Sequence, residues 1–210
     1  MVSSESPSAA PSASLSGLSL LVLALLREHP MHIYGLHRLI RDRGLDRHVN
    51  VQHRNSVRQA VDRLKRGGFI EVDDVQQDSG PARTIYRITP FGSTSFTEAL
   101  RDMVAHPRRE FPSFPVAASL LAFLEPQDVV DLCGQRRVEL VATRTELESL
   151  GTPPPGLPEI LFVENDLERA LVDAEIAWID RLAARIADGE LQWDPAALLE
   201  TSPMKQIIEE

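Results

Sequence analysis

Apolar residues recur at helical spacing through most of this 210-residue chain. Residues 15–29 and 32–43 each place their leucine, valine and isoleucine side chains on one face, which predicts two amphipathic helices. Pro30 is expected to end the first helix and Gly44 the second. The alternating pattern of His48–Val51 that follows predicts a very short strand.

A third helix is predicted over residues 55–66, where four apolar residues follow the i, i+3, i+4, i+7 pattern of a buried face. These residues are Val57, Ala60, Val61 and Leu64. Asn55 or Ser56 can cap the first turn, and Gly67 fits a left-handed residue after the last turn.

Two alternating segments, residues 69–75 and 84–89, predict a β-hairpin whose turn contains the Gly80–Pro81 pair. Thr89 followed by Pro90 is a typical start for a helix, here over residues 90–105. The predicted order is therefore helix, helix, short strand, helix, hairpin, helix.

The second half of the chain is predicted to be helical and interrupted by prolines. We expect helices at 115–124, 126–150 and 159–188, a loop at 151–158, and a loosely held tail at 190–210. The last long helix carries an apolar stripe roughly every 3.5 residues. Its members are Ile160, Val163, Leu167, Leu171, Ala174, Trp178 and Leu182.

This stripe offers more apolar surface than one neighbouring helix can cover, which predicts a homodimer. The predicted interface residues are Leu167, Leu171, Ala174, Trp178 and Leu182. The alternative is that these helices fold back on the N-terminal half of the same chain.

Charge is distributed unevenly along the chain. The formal net charge is -9, yet residues 27–66 contain 10 Lys and Arg against 4 Asp and Glu. Residues 111–210 contain 7 against 19. A cationic segment in an anionic protein suggests local contact with a polyanion, and the acidic half can keep the assembly soluble.

Composition suggests a cytoplasmic globular protein. The single cysteine, Cys133, excludes an intramolecular disulfide. The apolar run Leu18–Leu26 is shorter than the roughly 20 residues needed to span a bilayer, and no basic region precedes it. Residues 1–14 are rich in Ser, Pro and Ala and are expected to be disordered.

Three segments together resemble the PadR-type winged helix-turn-helix transcriptional regulators: LLVLALLREHPMHIYGLHRLIRDRG, NSVRQAVDRLKRGGFIE and RTIYRITPFG. The resemblance covers residues 18–104. It implies a mainly α fold with a small β-hairpin wing, in which a winged helix-turn-helix precedes a helical dimerisation region. It also implies a homodimer, usually a repressor, that binds an inverted-repeat operator in double-stranded DNA.

The implied domains are a disordered tail (1–14), a DNA-binding domain (15–106), a Pro-rich joint (107–115), a dimerisation domain (116–188) and a C-terminal tail (189–210). The sequence departs from the family at Arg58, where a tyrosine is usual.

In a helix-turn-helix, the N-terminal half of the third helix enters the major groove. Arg58 can then pair with guanine and Gln59 with adenine. The other predicted DNA-binding residues are Arg54, Asn55, Ser56 and Arg63 around the third helix, Arg38 on the second, and Arg83 in the wing. Arg41 and Arg43 are expected to pair with Asp42 or Asp46 instead.

Other functions have weaker support. We find no nucleophile elbow, phosphate-binding loop or metal-ligand spacing, so neither catalysis nor a cofactor is predicted. Some members of the family bind aromatic or hydrophobic effectors, and Phe162, Trp178 and Trp193 are the candidate lining of such a pocket. The alternative function is a winged-helix protein-interaction module that does not bind DNA.

Overall fold

The computed structural model describes residues 15–49, 51, 54–76, 83–150 and 155–200. The chain divides into two compact units with their boundary between Arg109 and Glu110. Both units are mainly helical, and the first contains a small antiparallel sheet. This architecture confirms the predicted fold class.

The first unit contains the elements α1 (Gly17–Glu28), β1 (Met31–His32), α2 (Ile33–Asp42), a 3-10 turn (Leu45–Arg47), α3 (Arg54–Arg66), β2 (Ile70–Gln76), β3 (Arg83–Ile88) and α4 (Pro90–Ala105). The second unit contains α5 (Ser113–Ala118), a 3-10 turn (Leu121–Phe123), α6 (Pro126–Leu150), a 3-10 turn (Glu159–Leu161), α7 (Val163–Ala187) and α8 (Pro195–Glu200).

Side-chain caps fix the starts of two helices around the predicted helix-turn-helix. Nδ1 of His32 accepts the backbone N–H of Gly35 at 2.8 Å and caps α2. Oγ1 of Thr89 accepts the backbone N–H of Gly92 at 3.0 Å and caps α4, with Pro90 at the first helical position. The predicted start of the helix at residue 90 is confirmed.

Both predicted ends of α3 need correction. The helix begins at Arg54, so Asn55 and Ser56 lie inside the first turn and neither is the cap. At the other end, Gly68 rather than Gly67 is left-handed, with φ of 72°. The N–H groups of Gly68 and Phe69 reach back to the carbonyls of Lys65 and Leu64 at 3.1 and 3.0 Å, which is the Schellman arrangement.

The predicted apolar face of α3 is the centre of the first core. Val57, Ala60, Val61 and Leu64 are all buried, and they join one cluster with residues of α1, α2 and β2. Burying each valine or leucine side chain stabilises the fold by about 1.5–3 kcal/mol. The packing therefore fixes the rotation of α3 about its axis and determines which side chains face solvent.

The sheet has the order β1–β3–β2. Met31 pairs with Tyr86, Ile70 pairs with Ile88, and an irregularity lies between Val72 and Asp74 in β2. The expected strand at His48–Val51 is wrong, because His48, Val49 and Val51 are outside any strand and Asn50 is outside the described residues. The short strand comes earlier, where the chain reaches the free edge of β3.

In the second unit, α6 and α7 pack against each other in opposite directions. Val129 and Cys133 of α6 and Ile179 of α7 form the buried cluster. Ion pairs cross between the helices along their length: Arg136 with Glu175, Arg137 with Asp180 at 2.7 Å, and Arg144 with Asp173 at 3.6 Å. The predicted bounds of α6 are confirmed, whereas the last long helix begins at Val163, after a 3-10 turn, and not at residue 159 as expected.

Two further expectations for the second unit are wrong. The helix expected over 115–124 is split into α5 and a 3-10 turn. The expected loose tail contains α8, and Trp193 just before it packs on the α6–α7 cluster. The indole N–H of Trp193 donates to the carbonyl of Leu124 at 2.9 Å. This anchor was missed because it depends on a residue far away in the sequence.

Several expectations fall outside the described residues, namely those for residues 1–14, the Gly80–Pro81 turn, residues 151–154 and residues 201–210. In the part of the chain that is described, no helix is both long and apolar enough to cross a membrane.

Candidate nucleic-acid interface

The face of α3 opposite its core is polar and accessible. Asn55, Arg58 and Gln59 are exposed in the first two turns, and Ser56 is half-buried. The side chains of Arg58 and Gln59 form no hydrogen bond or ion pair with any described residue. Their donors are therefore available to a ligand, as the apolar spacing of the helix predicted.

The end of α3 is also cationic. Arg63, Lys65 and Arg66 are exposed. Nε of Arg66 donates to the backbone carbonyl of Asp62 at 3.3 Å, while Arg63 has no such partner among the described residues. Cations are favoured at a helix C-terminus in any case, so their position alone does not imply a ligand. The side chain of Arg54 lies outside the described part of the structure.

The arginines of α2 are paired differently from the prediction. Arg38, the predicted phosphate contact, is held by Asp42 at 3.1 Å. Arg43 donates to both oxygens of Glu28 at 2.7 Å, not to Asp42 or Asp46. Arg41 has no ion pair with a described residue. The spacing in sequence gave no means of choosing among these carboxylates, because Glu28 comes from a different helix.

The bidentate pair with Arg43 lowers the pKa of Glu28, chiefly through the side-chain hydrogen bond. The same hydrogen bond raises the pKa of Arg43. The guanidinium of Arg43 therefore links the end of α2 to α1 through its ion pair with Glu28, and it is a poor candidate for DNA contact.

Two open grooves meet at Arg58. One lies between α2 and α3, and its lining includes His37, Arg38, Arg41 and Asn55. The other lies beside the wing, and its lining includes Arg83 and Thr84. Arg58, Ile33 and Tyr34 line both. The fold thus brings the predicted residues Arg58 and Arg83 to one groove.

Tyr34 is a residue that the sequence analysis missed. Its side chain is 73% exposed near the start of α2, where its ring lies edge-on to His32 at 6.1 Å between centroids. An exposed aromatic residue within a helical apolar pattern is easily taken for a core residue. The signal in the sequence was that Tyr34 lies outside the 36, 39, 40 spacing of the α2 core face.

The base of the wing is less cationic than its composition suggests. Arg87 of β3 is paired with Glu71 at 2.8 Å and with Asp73 at 3.2 Å, both on β2. Arg83 is exposed at the start of β3. The predicted contacts around Ser79–Pro81 fall outside the described residues.

The predicted dimer stripe on α7 divides into two parts. Leu167 and Leu171 are each 63% exposed, and Ala174 is also exposed. Trp178 and Leu182 instead pack on the α6–α7 cluster of the same chain, with Trp178 edge-on to Phe114 at 5.6 Å. Only the first half of the stripe remains open.

The three residues predicted to line an aromatic pocket do not meet at one site within a single chain. Trp178 and Trp193 pack on one cluster. Phe162 lies 16 residues before Trp178, which is about 24 Å along a helix at 1.5 Å per residue. It lines a separate polar groove with Glu159 and Arg169.

Other chemistry finds little support in the described residues. They include no group of three His, Cys, Asp or Glu side chains that could hold a metal ion. Cys133 is buried, and this burial raises the pKa of its thiol.

Taken together, a three-helix core, an exposed cationic face on the third helix and a hairpin beside it define a winged helix-turn-helix. Residues 22–98 match the family model described as the transcriptional regulator PadR-like family. The resemblance to this family seen in the sequence is therefore confirmed for this part of the chain.

Solved structures share the fold. Bacillus subtilis PadR in complex with operator DNA has a TM-score of 0.64 at 16% identity, covering 81% of this chain and 99% of that one. Bacillus subtilis PadR in complex with p-coumaric acid has a TM-score of 0.64 at 16% identity, covering 81% of this chain and 98% of that one. The PadR-like transcriptional regulator BC1756 from Bacillus cereus has a TM-score of 0.57 at 13% identity, covering 87% of this chain and 99% of that one. No curated protein matches this chain.

Proposed function

We propose that this chain is a sequence-specific DNA-binding transcriptional regulator that acts as a homodimeric repressor on an inverted-repeat operator. The observation that carries the proposal is the rotation of α3, whose buried face leaves Arg58 and Gln59 exposed and without partners in the described structure. The solved complex of Bacillus subtilis PadR with operator DNA supports it.

In this proposal α3 enters the major groove, with Arg58 pairing with guanine and Gln59 with adenine. Asn55, Ser56 and Arg54 contact phosphates at the start of the helix, and Arg63 does so at its end. Arg83 approaches the backbone beside the groove that it shares with Arg58. Arg38 is a weaker candidate because it must first leave Asp42.

A gel shift with the DNA upstream of the chain's own coding sequence tests this function. Arg58→Ala should weaken binding by roughly 1–3 kcal/mol and relax specificity at one base position. Lys65→Ala is the matched control, because Lys65 is an exposed cation later in the same helix. Equal effects of both variants on every operator variant would show that Arg58 recognises no base.

Homodimerisation is supported by the open part of the α7 stripe. Ile176 and Ile179 bury one side of α7 against α6, while Leu167 and Leu171 face away on the other side. A second copy of the chain, with the same stripe, supplies a matching apolar surface. Leu167→Glu should shift sedimentation toward a monomer, whereas Ala184→Glu, off the leucine row, should not. If the wild-type chain sediments as a monomer at micromolar concentration, the proposed dimer is refuted.

An aromatic effector is a secondary proposal, supported by the solved complex of Bacillus subtilis PadR with p-coumaric acid. Trp178 and Trp193 share one cluster and can report binding in the second unit. Titration of tryptophan fluorescence with p-coumaric acid and a panel of aromatic acids tests it. The absence of any saturable change would leave the regulator without this effector class.

The competing function is a winged-helix module that binds a protein through α3. Such a module would present an apolar or acidic face on that helix, whereas the exposed face here is cationic and polar. Failure of the folded chain to bind any duplex would favour this alternative.

A further inference from the structure

Three side chains of α2 form a row along the groove between α2 and α3. Tyr34, His37 and Arg41 are spaced i, i+3 and i+7, so they lie on one face of the helix, and all three line this groove. Tyr34 is among the most exposed large side chains of the first unit, and Arg41 is also exposed. Their donors extend about 10 Å along the helix axis.

Pairing distinguishes Arg41 from the other arginines of α2. Arg38 and Arg43 are held by Asp42 and Glu28, whereas Arg41 has no ion pair with a described residue. Asp46 also lines the groove and opposes an anion there. With Asp42 neutralised by Arg38, the charges left in the groove are Arg41 and Arg58 against Asp46.

We propose that the Tyr34–Arg41 row is a phosphate-binding strip that holds the DNA backbone while α3 occupies the major groove. This inference rests on the proposed function and assigns the backbone contact of α2 to residues other than Arg38. In helix-turn-helix proteins the first of the two helices crosses the backbone, and such contacts fix the register without recognising sequence. Tyr34 lies beside Arg58, so a phosphate held there positions the arginine for base contact.

A backbone contact has a distinctive signature, because it depends on salt and not on sequence. Binding should be measured by fluorescence anisotropy at several salt concentrations, with the upstream duplex and with a random-sequence duplex of equal length. Arg41→Gln should reduce the slope of log Kobs against log salt by about 0.9 per bound chain on both duplexes. Arg101→Gln is the matched control, since Arg101 is exposed on α4 and has no ion pair with a described residue.

Tyr34→Phe isolates the hydroxyl without changing charge. It should weaken binding to both duplexes by about 10-fold, because a hydrogen bond to a charged group is lost, and should leave the salt slope unchanged. Circular dichroism of each variant checks that the fold is retained, and Phe preserves the ring contact with His32.

The outcomes separate this strip from the proposed function. Equal slopes for Arg41→Gln and Arg101→Gln, with Tyr34→Phe binding like wild type, would overturn the strip alone. An effect confined to the upstream duplex would also overturn it, because it would indicate base recognition. If the folded wild type binds neither duplex, the proposed function fails and the strip fails with it. Gln59→Ala should change only the preference for the upstream duplex, which tests α3 independently.

Discussion

Replacing Gly92 with alanine should disrupt the packing between the end of α3 and the start of α4. Gly92 is buried in the first turn of α4, directly against the backbone of Phe69, which follows the last turn of α3. A Cβ placed on Gly92 would lie 2.0 Å from the carbonyl oxygen of Phe69 and 2.8 Å from its carbonyl carbon. The obstacle is backbone, so no side-chain rotation can relieve it.

The displacement this substitution requires sets the size of the effect. The contact must open by about 1 Å, and the same Phe69 carbonyl accepts hydrogen bonds from Oγ1 and the backbone N–H of Thr89, at 3.1 and 3.0 Å. Overpacking alone costs about 1–3 kcal/mol. Because these hydrogen bonds are strained as well, we expect the free energy of unfolding to fall by the upper end of this range, about 3 kcal/mol. For a unit of about 100 residues this lowers Tm by roughly 12–24 °C.

The aromatic residues allow this loss to be located. Both tyrosines, Tyr34 and Tyr86, lie in the first unit, and both tryptophans, Trp178 and Trp193, lie in the second. Second-derivative absorbance of tyrosine during heating therefore follows the unit that contains the substitution. Tryptophan fluorescence follows the other unit in the same sample.

Gly17→Ala is the control within the same unit. Its added Cβ would meet only Val49 Cγ1 at 3.5 Å, an ordinary contact at the start of α1. Since alanine is favoured over glycine in a helix, this variant should be neutral or stabilised by up to about 1 kcal/mol. If the tyrosine transition of Gly92→Ala has the same Tm as that of the wild type, the close approach of α4 to Phe69 is refuted.

Three further predictions concern a cap, an ion pair and a thiol. His32→Ala should lower the free energy of unfolding by about 1 kcal/mol through loss of the α2 cap, whereas His32→Asn, which can still cap the helix, should retain most of this stability. Equal urea midpoints for the two variants would contradict the cap. Because hydrogen bonding to Arg43 lowers the pKa of Glu28, the pair stabilises the fold above the ordinary carboxyl pKa, and this contribution disappears as the pH falls through the lowered value. Arg43→Gln should remove this acid dependence of the free energy of unfolding, which amounts to at most about 1 kcal/mol for so exposed a pair. Urea denaturation at a series of acidic pH values measures the dependence, and an unchanged pH dependence in the variant would contradict the role of the pair. Cys133, with its pKa raised by burial, should react slowly with a thiol reagent in the native state and fast in denaturant, and equal rates would show that it is accessible.

The helices of the first unit could be predicted because their signals are local. Val57, Ala60, Val61 and Leu64 recur with the helical period, and that period alone determines which side of α3 is buried. The outward direction of Arg58 follows from the same pattern. The end of α3 was displaced by one residue because two consecutive glycines both accept a left-handed conformation, and only the hydrogen bonds of the Schellman turn select Gly68.

Features that depend on distant residues could not be predicted. The strand at Met31–His32 exists because it reaches the edge of β3, where Met31 pairs with Tyr86, and no local alternation marks it. Likewise Trp193 is fixed by a carbonyl 69 residues away. The choice of Glu28 as the partner of Arg43 has the same origin, since folding brings α1 beside the end of α2.

A protein with a net charge of -9 can still present a local cationic surface, as the proposed contact with DNA requires. Fields of exposed charges are screened beyond roughly 8–10 Å, so what matters is the charge that remains unpaired near the contact. Arg38, Arg43 and Arg87 are neutralised by carboxylates within the first unit. Arg41, Arg58, Arg63, Lys65 and Arg83 have no ion pair with a described residue, and Arg66 donates to a backbone carbonyl, so these cations keep their charge on the α2, α3 and wing surfaces. In the proposed function, non-specific binding through these cations should depend strongly on salt, and discrimination between sequences should come from the base contacts of α3.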